Sequence, residues 1–254
     1  MSEASASGPP AVAVARGTHG GVSSTSSPLY FGLRMERLAP QPTDVLLVVD
    51  LQNDFMPGGA LAVPEGDQVV PLANRIARAF ANVVLTQDWH PPGHVSFASQ
   101  HAGHVPFDTI DLAYGKQILW PDHCVQSTRG AALHSAVDIG HAALVIRKGY
   151  HPHTDSYSAF VEADRKTKTG LAGYLAERGI NRVFICGLAT DFCVAWSALD
   201  ARAAGFQVVV IEDGCRAIDT GGSLAAARQD FAAAGVRLLS SEGIIERRAR
   251  FPAA

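Results

Sequence analysis

Reactive side chains follow four apolar segments that are predicted to be strands. Asp50 ends the run DVLLVVD, Asp88 and His90 follow NVVLTQ, Lys148 ends HAALVIRK, and Cys193 follows NRVFICGLAT. In an open parallel sheet, the carboxyl ends of the strands border the crevice in which ligands bind. A thiol, a carboxylate and an ammonium group gathered there can attack a carbonyl carbon and transfer the protons. The sequence therefore predicts one reactive site at this edge of the sheet.

Cys193 is the predicted nucleophile. Thr190 is expected to cap the helix that follows GLAT, so that Cys193 lies beside the free N–H groups of the first turn. Those groups favour a thiolate with a lowered pKa and can also hold an oxyanion. Asp50, desolvated at the end of a buried strand, is expected to take the thiol proton, with Asp54 as the competing carboxylate. Lys148 would favour the ionised forms of both partners, although an isolated lysine at a strand end is more often solvated.

The segment TQDWHPPGHVSF has the composition of a metal site. Asp88, His90 and His94 lie within seven residues of sequence, and a carboxylate with imidazoles suits a divalent ion such as Zn, Fe or Mn. A further ligand is His123 in WPDHC, if the long intervening loop brings it to the same place. Solvated histidines are common in loops, so the spacing alone also allows an ordinary surface segment.

An alternation of strand and helix patterns positions these residues. Strands are predicted near 44–50, 82–87, 142–147, 182–187, 207–212 and 236–239, and helices near 67–80, 169–179, 191–205 and 220–234. The strands are rich in Val, Ile and Leu without polar alternation, which is typical of a sheet covered on both faces. The predicted fold is α/β, with a doubly wound, mostly parallel six-stranded sheet and helices on both faces. Residues 88–141 interrupt the pattern and are predicted to be a long functional loop.

Composition restricts the class of protein. Residues 1–43 are rich in Ala, Ser, Gly and Pro and are predicted to be a disordered or loosely packed extension, followed by a single domain over 44–254. The net charge of −3 gives no reason to expect a nucleic acid or a membrane surface as partner. The 4 cysteines have no framework spacing, which favours reduced thiols in the cytoplasm. No segment has the pattern of a signal peptide or a membrane span.

Five longer motifs occur along the chain: VVDLQNDFMPGGAL, TQDWHPPGHVSFAS, WPDHCVQ, RKGYHPHTDSYSAF and CGLATDFCV. In this order and spacing they resemble the nicotinamidases of the isochorismatase-like cysteine hydrolase superfamily, over residues 44–245. The resemblance implies an isochorismatase-like fold and a catalytic triad that carries over to Asp50, Lys148 and Cys193. It also implies dimers or larger assemblies, although the sequence carries no diagnostic interface stripe.

The resemblance implies one divalent metal ion, with zinc as the first choice and iron or manganese as alternatives. The family's metal site carries over to Asp88, His90 and His123. His94 also matches, but it is a direct ligand in only some members of the family. Ser96 is implied to contact a metal-bound water.

An oxyanion hole and a substrate pocket are implied as well. A cis peptide bond between Leu188 and Ala189 would turn the N–H of Ala189 toward the oxyanion, beside the N–H of Cys193. Three aromatic residues match positions that line the family's pocket, namely Phe55, Trp120 and Tyr157. Without the resemblance, ordinary core packing would explain these three rings equally well.

The implied reaction converts nicotinamide and water to nicotinate and ammonia through a thioester on Cys193, as a step of NAD salvage. The ring nitrogen would bind the metal, and pyrazinamide is an expected surrogate substrate. One alternative is another hydrolase of the superfamily that acts on a different small amide or ureido compound, a group that generally lacks the Asp88, His90 and His123 set. A nucleotide-binding module is a second alternative, but no G-x-G-x-x-G or G-x-x-x-x-G-K-[ST] pattern supports it.

Overall fold

Buried apolar segments form a six-stranded parallel sheet, as the sequence predicts. The computed structural model describes residues 37–245. In chain order the strands are β1 (Asp44–Val49), β2 (Asn82–Asp88), β3 (Thr109–Leu112), β4 (Gly115–Ile118), β5 (Leu144–Lys148), β6 (Arg182–Leu188), β7 (Gln207–Arg216) and β8 (Arg237–Leu239). The sheet has the order β5-β2-β1-β6-β7-β8, and β3 and β4 form a separate antiparallel hairpin. All six residues of β1 are buried, which explains the absence of polar alternation.

Helices cover the sheet. They are α1 (Val69–Ala77), α2 (Leu171–Glu177), α3 (Ala195–Ala203) and α4 (Ser223–Ala234). The apolar face predicted for the first helical segment is buried in full, and its members are Val70, Ala73, Ile76, Ala77 and Phe80. The chain moves from β1 to β2 and β5 toward one edge and from β6 to β7 and β8 toward the other. Right-handed crossovers therefore place the two sets of connections on opposite faces.

The direction of winding reverses between β1 and β6, which are neighbours in the sheet. Their register pairs Val49 with Gly187 at the carboxyl ends of the two strands. A Cβ on Gly187 would lie 2.1 Å from the carbonyl oxygen of Val49, so only glycine allows this close approach. The crevice at this reversal is where open α/β sheets bind ligands.

The structure differs from the predicted elements mainly between β2 and β5. The predicted long loop contains the β3–β4 hairpin, which the sequence analysis did not include because its strands are only four residues each and mostly exposed. β7 is also longer than predicted and continues to Arg216, past a register shift against β6.

The predicted N-terminal extension lies largely outside the described residues, which begin at Arg37. Within the described part, the backbone N–H of Leu38 donates to the carbonyl of Gly243 at 2.8 Å, and its side chain packs against the core. The four cysteines are all described and all are free thiols. Among residues 37–245, no helix combines the length and the apolar character needed to cross a bilayer.

Candidate active site

Lys148 connects the reactive side chains at the strand ends. Its Nζ lies 2.8 Å from Asp50 Oδ2 and 3.3 Å from Cys193 Sγ, and it also forms an ion pair with Asp88 Oδ1. The β2–β5 register places Lys148 directly beside Asp88. The lysine side chain is completely buried, so it is not the solvated residue that an isolated lysine would suggest. The structure thus brings Asp50, Lys148 and Cys193 together in one crevice.

Side chains extend the β1–β2 pairing beyond the last backbone pair and hold the turn after β1. Asp50 has a left-handed backbone with φ 49°, and its N–H donates to Thr86 Oγ1 at 3.1 Å. The Thr86 hydroxyl in turn donates to Asp50 Oδ1 at 2.5 Å. Gln52 then pairs with the backbone of Asp88, because its Nε2 donates to the Asp88 carbonyl and its Oε1 accepts the Asp88 N–H, both at 2.8 Å. The sequence analysis assigned no role to Thr86 or Gln52.

Burial and one shared cation set the charges of the site. Burial alone would lower the pKa of Lys148, but the carboxylates of Asp50 and Asp88 raise it well above its usual value. Burial would raise the pKa of Asp88, but the charge of Lys148 and the contacts with His123 and His90 together hold it well below the usual range. For Asp50 burial is the stronger influence, and its pKa is raised. The site therefore holds a lysinium, an ionised Asp88, and in Asp50 a carboxylate with a raised affinity for a proton.

The thiol of Cys193 differs from the sequence-based expectation. Burial raises its pKa well above the usual value, and the nearby charge of Lys148 opposes this only in part. The predicted thiolate with a lowered pKa is therefore wrong for the resting protein, because desolvation of the sulfur outweighs the positive charge. A protonated thiol needs a base, and a carboxylate oxygen of Asp50 lies within 4.8 Å of Sγ.

The turn that carries Cys193 is also built differently from the prediction. Residues Thr190–Val194 form a π-helical turn whose N-cap is Ala189, and no side chain caps it, so the predicted Thr190 cap is wrong. The carbonyl of Ala189 accepts the N–H groups of Phe192 and Val194, each at 3.1 Å. The Leu188–Ala189 peptide bond is cis, as the family resemblance implies.

Asp191 anchors this turn to the connection between β7 and α4. Its carboxylate accepts the N–H groups of Ile218 at 3.1 Å and Asp219 at 2.8 Å, and the hydroxyl of Ser223 at 2.5 Å. The sequence analysis missed this residue. An acidic side chain in the first turn after a buried strand was the signal that could have found it.

Asp88, His90 and His123 form a buried group that can hold a metal ion. The Nε2 atoms of His90 and His123 lie 3.7 Å and 3.8 Å from Asp88 Oδ2. Each ring bonds through Nδ1 to a carbonyl, that of Gly149 at 2.9 Å for His90 and that of Pro121 at 2.8 Å for His123. When Nδ1 donates there, each ring in its neutral form presents its Nε2 lone pair to the carboxylate. Two lone pairs and a carboxylate oxygen facing one another fit a cation, and this donor set is typical of an open zinc-type site.

His94 is placed beside this group and not within it. Its Nδ1 lies 2.7 Å from Ser96 Oγ, and its Nε2 lies 3.0 Å from the carbonyl oxygen of His151. Burial lowers the pKa of His94 to about 4, so the ring is neutral, donates from Nε2 and accepts at Nδ1. It packs against His90 with ring centroids 4.3 Å apart, and with His90 and Asp155 it forms another group of potential ligands. Direct ligation by His94 and the water contact of Ser96 stay predictions.

One cavity joins the thiol to the histidines. Its walls contain the three aromatic residues of the sequence-based hypothesis: Phe55, Trp120 and Tyr157. They also contain residues that the sequence analysis did not select, namely Leu61, Asp155, Phe192 and Ile218. Trp120 Nε1 donates to the Tyr157 hydroxyl at 2.9 Å, which fixes two of the rings relative to each other. The arrangement suits a flat aromatic ring with a polar atom at each end.

Asp54, the competing carboxylate, has a structural contact instead of a place in the triad. Its Oδ2 accepts the N–H of Cys124 at 2.7 Å, and Cys124 has a left-handed backbone with φ 45°. Asp54 therefore holds the segment that contains His123.

The sequence comparisons agree with this geometry. A model of the isochorismatase domain family matches residues 44–243. The nicotinamidase of Acinetobacter baylyi is 58% identical over 200 residues, which cover 79% of this chain and 94% of the relative. The nicotinamidase of Escherichia coli is 49% identical over 183 residues, which cover 70% of this chain and 85% of the relative.

Solved structures give the same result. An Acinetobacter baumanii nicotinamidase and pyrazinamidase superposes with a TM-score of 0.79 at 55% identity, covering 79% of this chain and 97% of its own. A protein of L. infantum in complex with nicotinate has a TM-score of 0.72 at 40% identity, with coverages of 82% and 98%. The pyrazinamidase of Pyrococcus horikoshii in complex with zinc has a TM-score of 0.65 at 37% identity, with coverages of 78% and 99%. With a family match over most of its length and relatives at this identity, the chain belongs to the isochorismatase family and is a hydrolase acting on an amide.

Proposed function

We propose that the protein is a metal-dependent cysteine amidohydrolase that converts nicotinamide and water to nicotinate and ammonia. Lys148 is the observation that carries this proposal, because it contacts Asp50 and Cys193 on one side and Asp88 on the other. The nucleophile and the ligand group therefore face a single substrate. Relatives named nicotinamidase, at up to 58% identity, support the same substrate.

The proposed chemistry begins with the neutral thiol of Cys193. Its proton passes to Asp50 as Sγ forms a bond to the amide carbon, and Lys148 stabilises the charge that develops on sulfur. The N–H groups of Ala189 and Cys193 are the proposed donors to the oxyanion. Asp50 then gives the proton to the amide nitrogen, the carbon–nitrogen bond breaks, and ammonia leaves with a thioester remaining on Cys193.

Water completes the cycle. It adds to the thioester carbon as Asp50 takes one of its protons, the carbon–sulfur bond breaks, and the sulfur recovers a proton from Asp50. The products are nicotinate and the free enzyme, so that each turnover consumes one water and leaves Asp50 as it began. Dividing the reaction into two acyl transfers gives two barriers that are each lower than that of direct hydrolysis.

The proposed metal ligands are Asp88, His90 and His123, with His94 as a further candidate ligand. A divalent ion bound there would supply a Lewis acid for a ring nitrogen of the substrate. Zinc is the proposed ion, since a pyrazinamidase relative is known in complex with zinc, and iron and manganese suit the same donors. The rings of Phe55, Trp120 and Tyr157 would stack around the substrate ring.

The proposal extends to pyrazinamide, which keeps a ring nitrogen in the same position relative to the amide. It also includes a role in NAD salvage and a cytoplasmic location. A homo-oligomer is part of the proposal on the strength of the family resemblance. No nucleic acid or membrane partner is proposed, in keeping with the net charge of −3.

An ammonia-release assay with metal analysis of the same preparation tests the proposal. Nicotinamide and pyrazinamide should be hydrolysed, whereas benzamide, which has no ring nitrogen, should be a poor substrate. A strong chelator should abolish the activity, and zinc, iron or manganese should restore it. Full activity in a metal-free preparation would contradict the metal dependence. Hydrolysis of a ureido compound in preference to nicotinamide would instead support the alternative member of the superfamily.

A further inference from the structure

Thr86 is a buried residue of β2 that contacts Asp50 twice. Its Oγ1 accepts the Asp50 N–H at 3.1 Å, and its hydroxyl donates to Asp50 Oδ1 at 2.5 Å. The threonine is completely buried and does not line the substrate cavity. Its position two residues before Asp88 keeps it on the strand that also carries the ligand group.

The direction of these bonds follows from the single hydrogen of the hydroxyl. The backbone N–H of Asp50 can only donate, so Oγ1 accepts there and its own hydrogen is left to donate to Oδ1. Among residues 37–245, no other acceptor for the Thr86 hydroxyl is found. A proton on Oδ1 would force the Thr86 hydrogen to turn away and leave it buried without an acceptor, which costs free energy, so Oδ1 is kept as the acceptor.

The second oxygen of Asp50 has the opposite surroundings. Oδ2 is the buried side-chain oxygen in the described part of the chain that has no aligned hydrogen bond, although Lys148 Nζ lies 2.8 Å away as its ion-pair partner. The same Nζ lies 3.3 Å from Cys193 Sγ. Oδ2 accepts no hydrogen bond from a hydroxyl or a backbone N–H of the described residues, and its ion-pair partner also contacts Sγ. Oδ2 is therefore the oxygen that can take a proton from Cys193.

We propose that Thr86 is a positioning residue that reserves Asp50 Oδ1 as an acceptor and thereby makes Oδ2 the oxygen that exchanges the proton with Cys193. This inference rests on the proposed function, in which Asp50 moves the thiol proton. The bond from the Asp50 N–H also fixes the left-handed turn, so that both the backbone and the carboxylate of this residue are oriented by one hydroxyl.

Two substitutions separate the hydroxyl from the shape of the side chain. Thr86→Val keeps the branched shape that suits β2 but removes the hydroxyl, so the carboxylate can rotate and present either oxygen to the sulfur. We expect kcat for nicotinamide to fall by roughly 10- to 100-fold, the size associated with a hydrogen bond to a charged group, while KM changes by less than about threefold. Thr86→Ser keeps the hydroxyl and should retain kcat within about threefold of the unmodified enzyme.

Ser197→Ala is the matched control, because Ser197 is equally buried and its Oγ accepts one backbone N–H, that of Ala159 at 3.0 Å, and not one from Asp50, Lys148 or Cys193. Its kcat should stay near that of the unmodified enzyme. Metal content and melting temperature are measured for every variant. A loss of kcat confined to the valine variant, with metal content unchanged and activity retained by serine, supports the proposal.

Three results would overturn it: an active valine variant, a serine variant as slow as the valine variant, or a valine variant whose lost activity follows lost metal. If the valine variant does not fold, Thr86→Ala takes its place as the variant without a hydroxyl, and the same loss of kcat with retained metal is expected from it. Failure of the proposed function would be recognised separately, since the unmodified enzyme would then release no ammonia from nicotinamide.

Discussion

Two regions of the molecule build the site in different ways. Asp50 and Cys193 follow the neighbouring strands β1 and β6, and Lys148 ends β5, which β2 separates from β1. The register of the sheet sets their positions. His123 and Trp120 come from the long segment between β2 and β5, where local hydrogen bonds position them. The Nδ1 of His123 bonds to the carbonyl of Pro121 at 2.8 Å, and the Trp120 N–H donates to the carbonyl of Ser96 at 2.8 Å. The strand ends supply the nucleophile and proton transfer, and the long segment completes the ligand group and the cavity wall. Substitutions at the strand ends should therefore lower turnover without loss of metal, whereas substitutions in the long segment should lower metal binding.

The largest effect is expected from Cys193→Ala at the strand ends. Loss of the nucleophile should lower kcat/KM for nicotinamide by roughly 10⁴-fold or more, as in other enzymes whose catalytic residues act as a unit. The fold should be retained, because alanine fits the space of the thiol and Lys148, which loses its contact with Sγ, keeps its ion pairs with Asp50 and Asp88. Ammonia release measures the activity, and bound metal measured on the same sample should be unchanged.

His123→Ala in the long segment is the contrasting variant for this experiment. It should also lose activity, but with a fall in bound metal that excess zinc partly reverses. If both variants lost metal equally, the assignment of catalysis to the strand ends and of metal binding to the long segment would be incorrect. Retained turnover in the Cys193 variant would remove that residue from the role of nucleophile.

The strand-end region could be predicted from the sequence because regularly recurring apolar runs mark the strands that precede the reactive residues. Apolar runs such as DVLLVVD and HAALVIRK mark strands, the first fully buried and the second at the edge of the sheet, and parallel strands must bring their final residues to one edge. The gathering of Asp50, Lys148 and Cys193 follows from that rule, whereas the order of the strands in the sheet was not predicted. The rule does not give the local turn, so the Thr190 cap was wrong where a π-helical turn begins at Ala189.

The long segment could not be predicted from periodicity. Nothing in the pattern of residues 88–141 shows that His123 reaches Asp88, so the residues alone made it only a candidate further ligand, and Trp120 was selected only through the family resemblance. Its hairpin is too short and exposed to give a clear signal. Thr86 was also missed, because a threonine in a strand is ordinary and its role depends on a partner 36 residues away in the chain. The charge of Cys193 likewise depends on burial, which a sequence does not give.

A smaller effect, on metal affinity, is expected from a substitution at Gly149, which follows β5 and contacts the His90 ring. Its φ is 66°, and a Cβ there would lie 2.5 Å from Cε1 of the His90 ring. Gly149→Ala should displace that ring and weaken the bond from His90 Nδ1 to the Gly149 carbonyl. We expect metal affinity to fall by roughly 10- to 100-fold, the size typical of a lost outer-shell contact. Titration of metal-depleted protein with zinc measures it.

Gly103→Ala is the matched control for backbone strain. Gly103 also has a positive φ of 84°, but nothing lies within 4 Å of its Cβ position. This variant should lose about 1 kcal/mol of unfolding free energy from the strained backbone and keep its metal affinity. Equal affinity losses in both variants would mean that strain, and not the His90 contact, controls the metal site.

The smallest effect is expected in the pH dependence, which tests the charge state of the strand-end region. Asp50 must be ionised to take the thiol proton, and burial raises its pKa, so kcat/KM should fall as the pH drops through a value above the usual 3.8. Because burial also raises the pKa of Cys193 well above 9.0, no thiolate accumulates between pH 7 and 8. In that interval kcat/KM should change by less than about twofold, because the base is the Asp50 carboxylate paired with Lys148 and the rate does not depend on ionisation of the free thiol. A rise in kcat/KM near tenfold per pH unit would show that a preformed thiolate attacks. The buried thiol of Cys193 would then ionise as readily as a solvent-exposed one, contrary to the raised pKa.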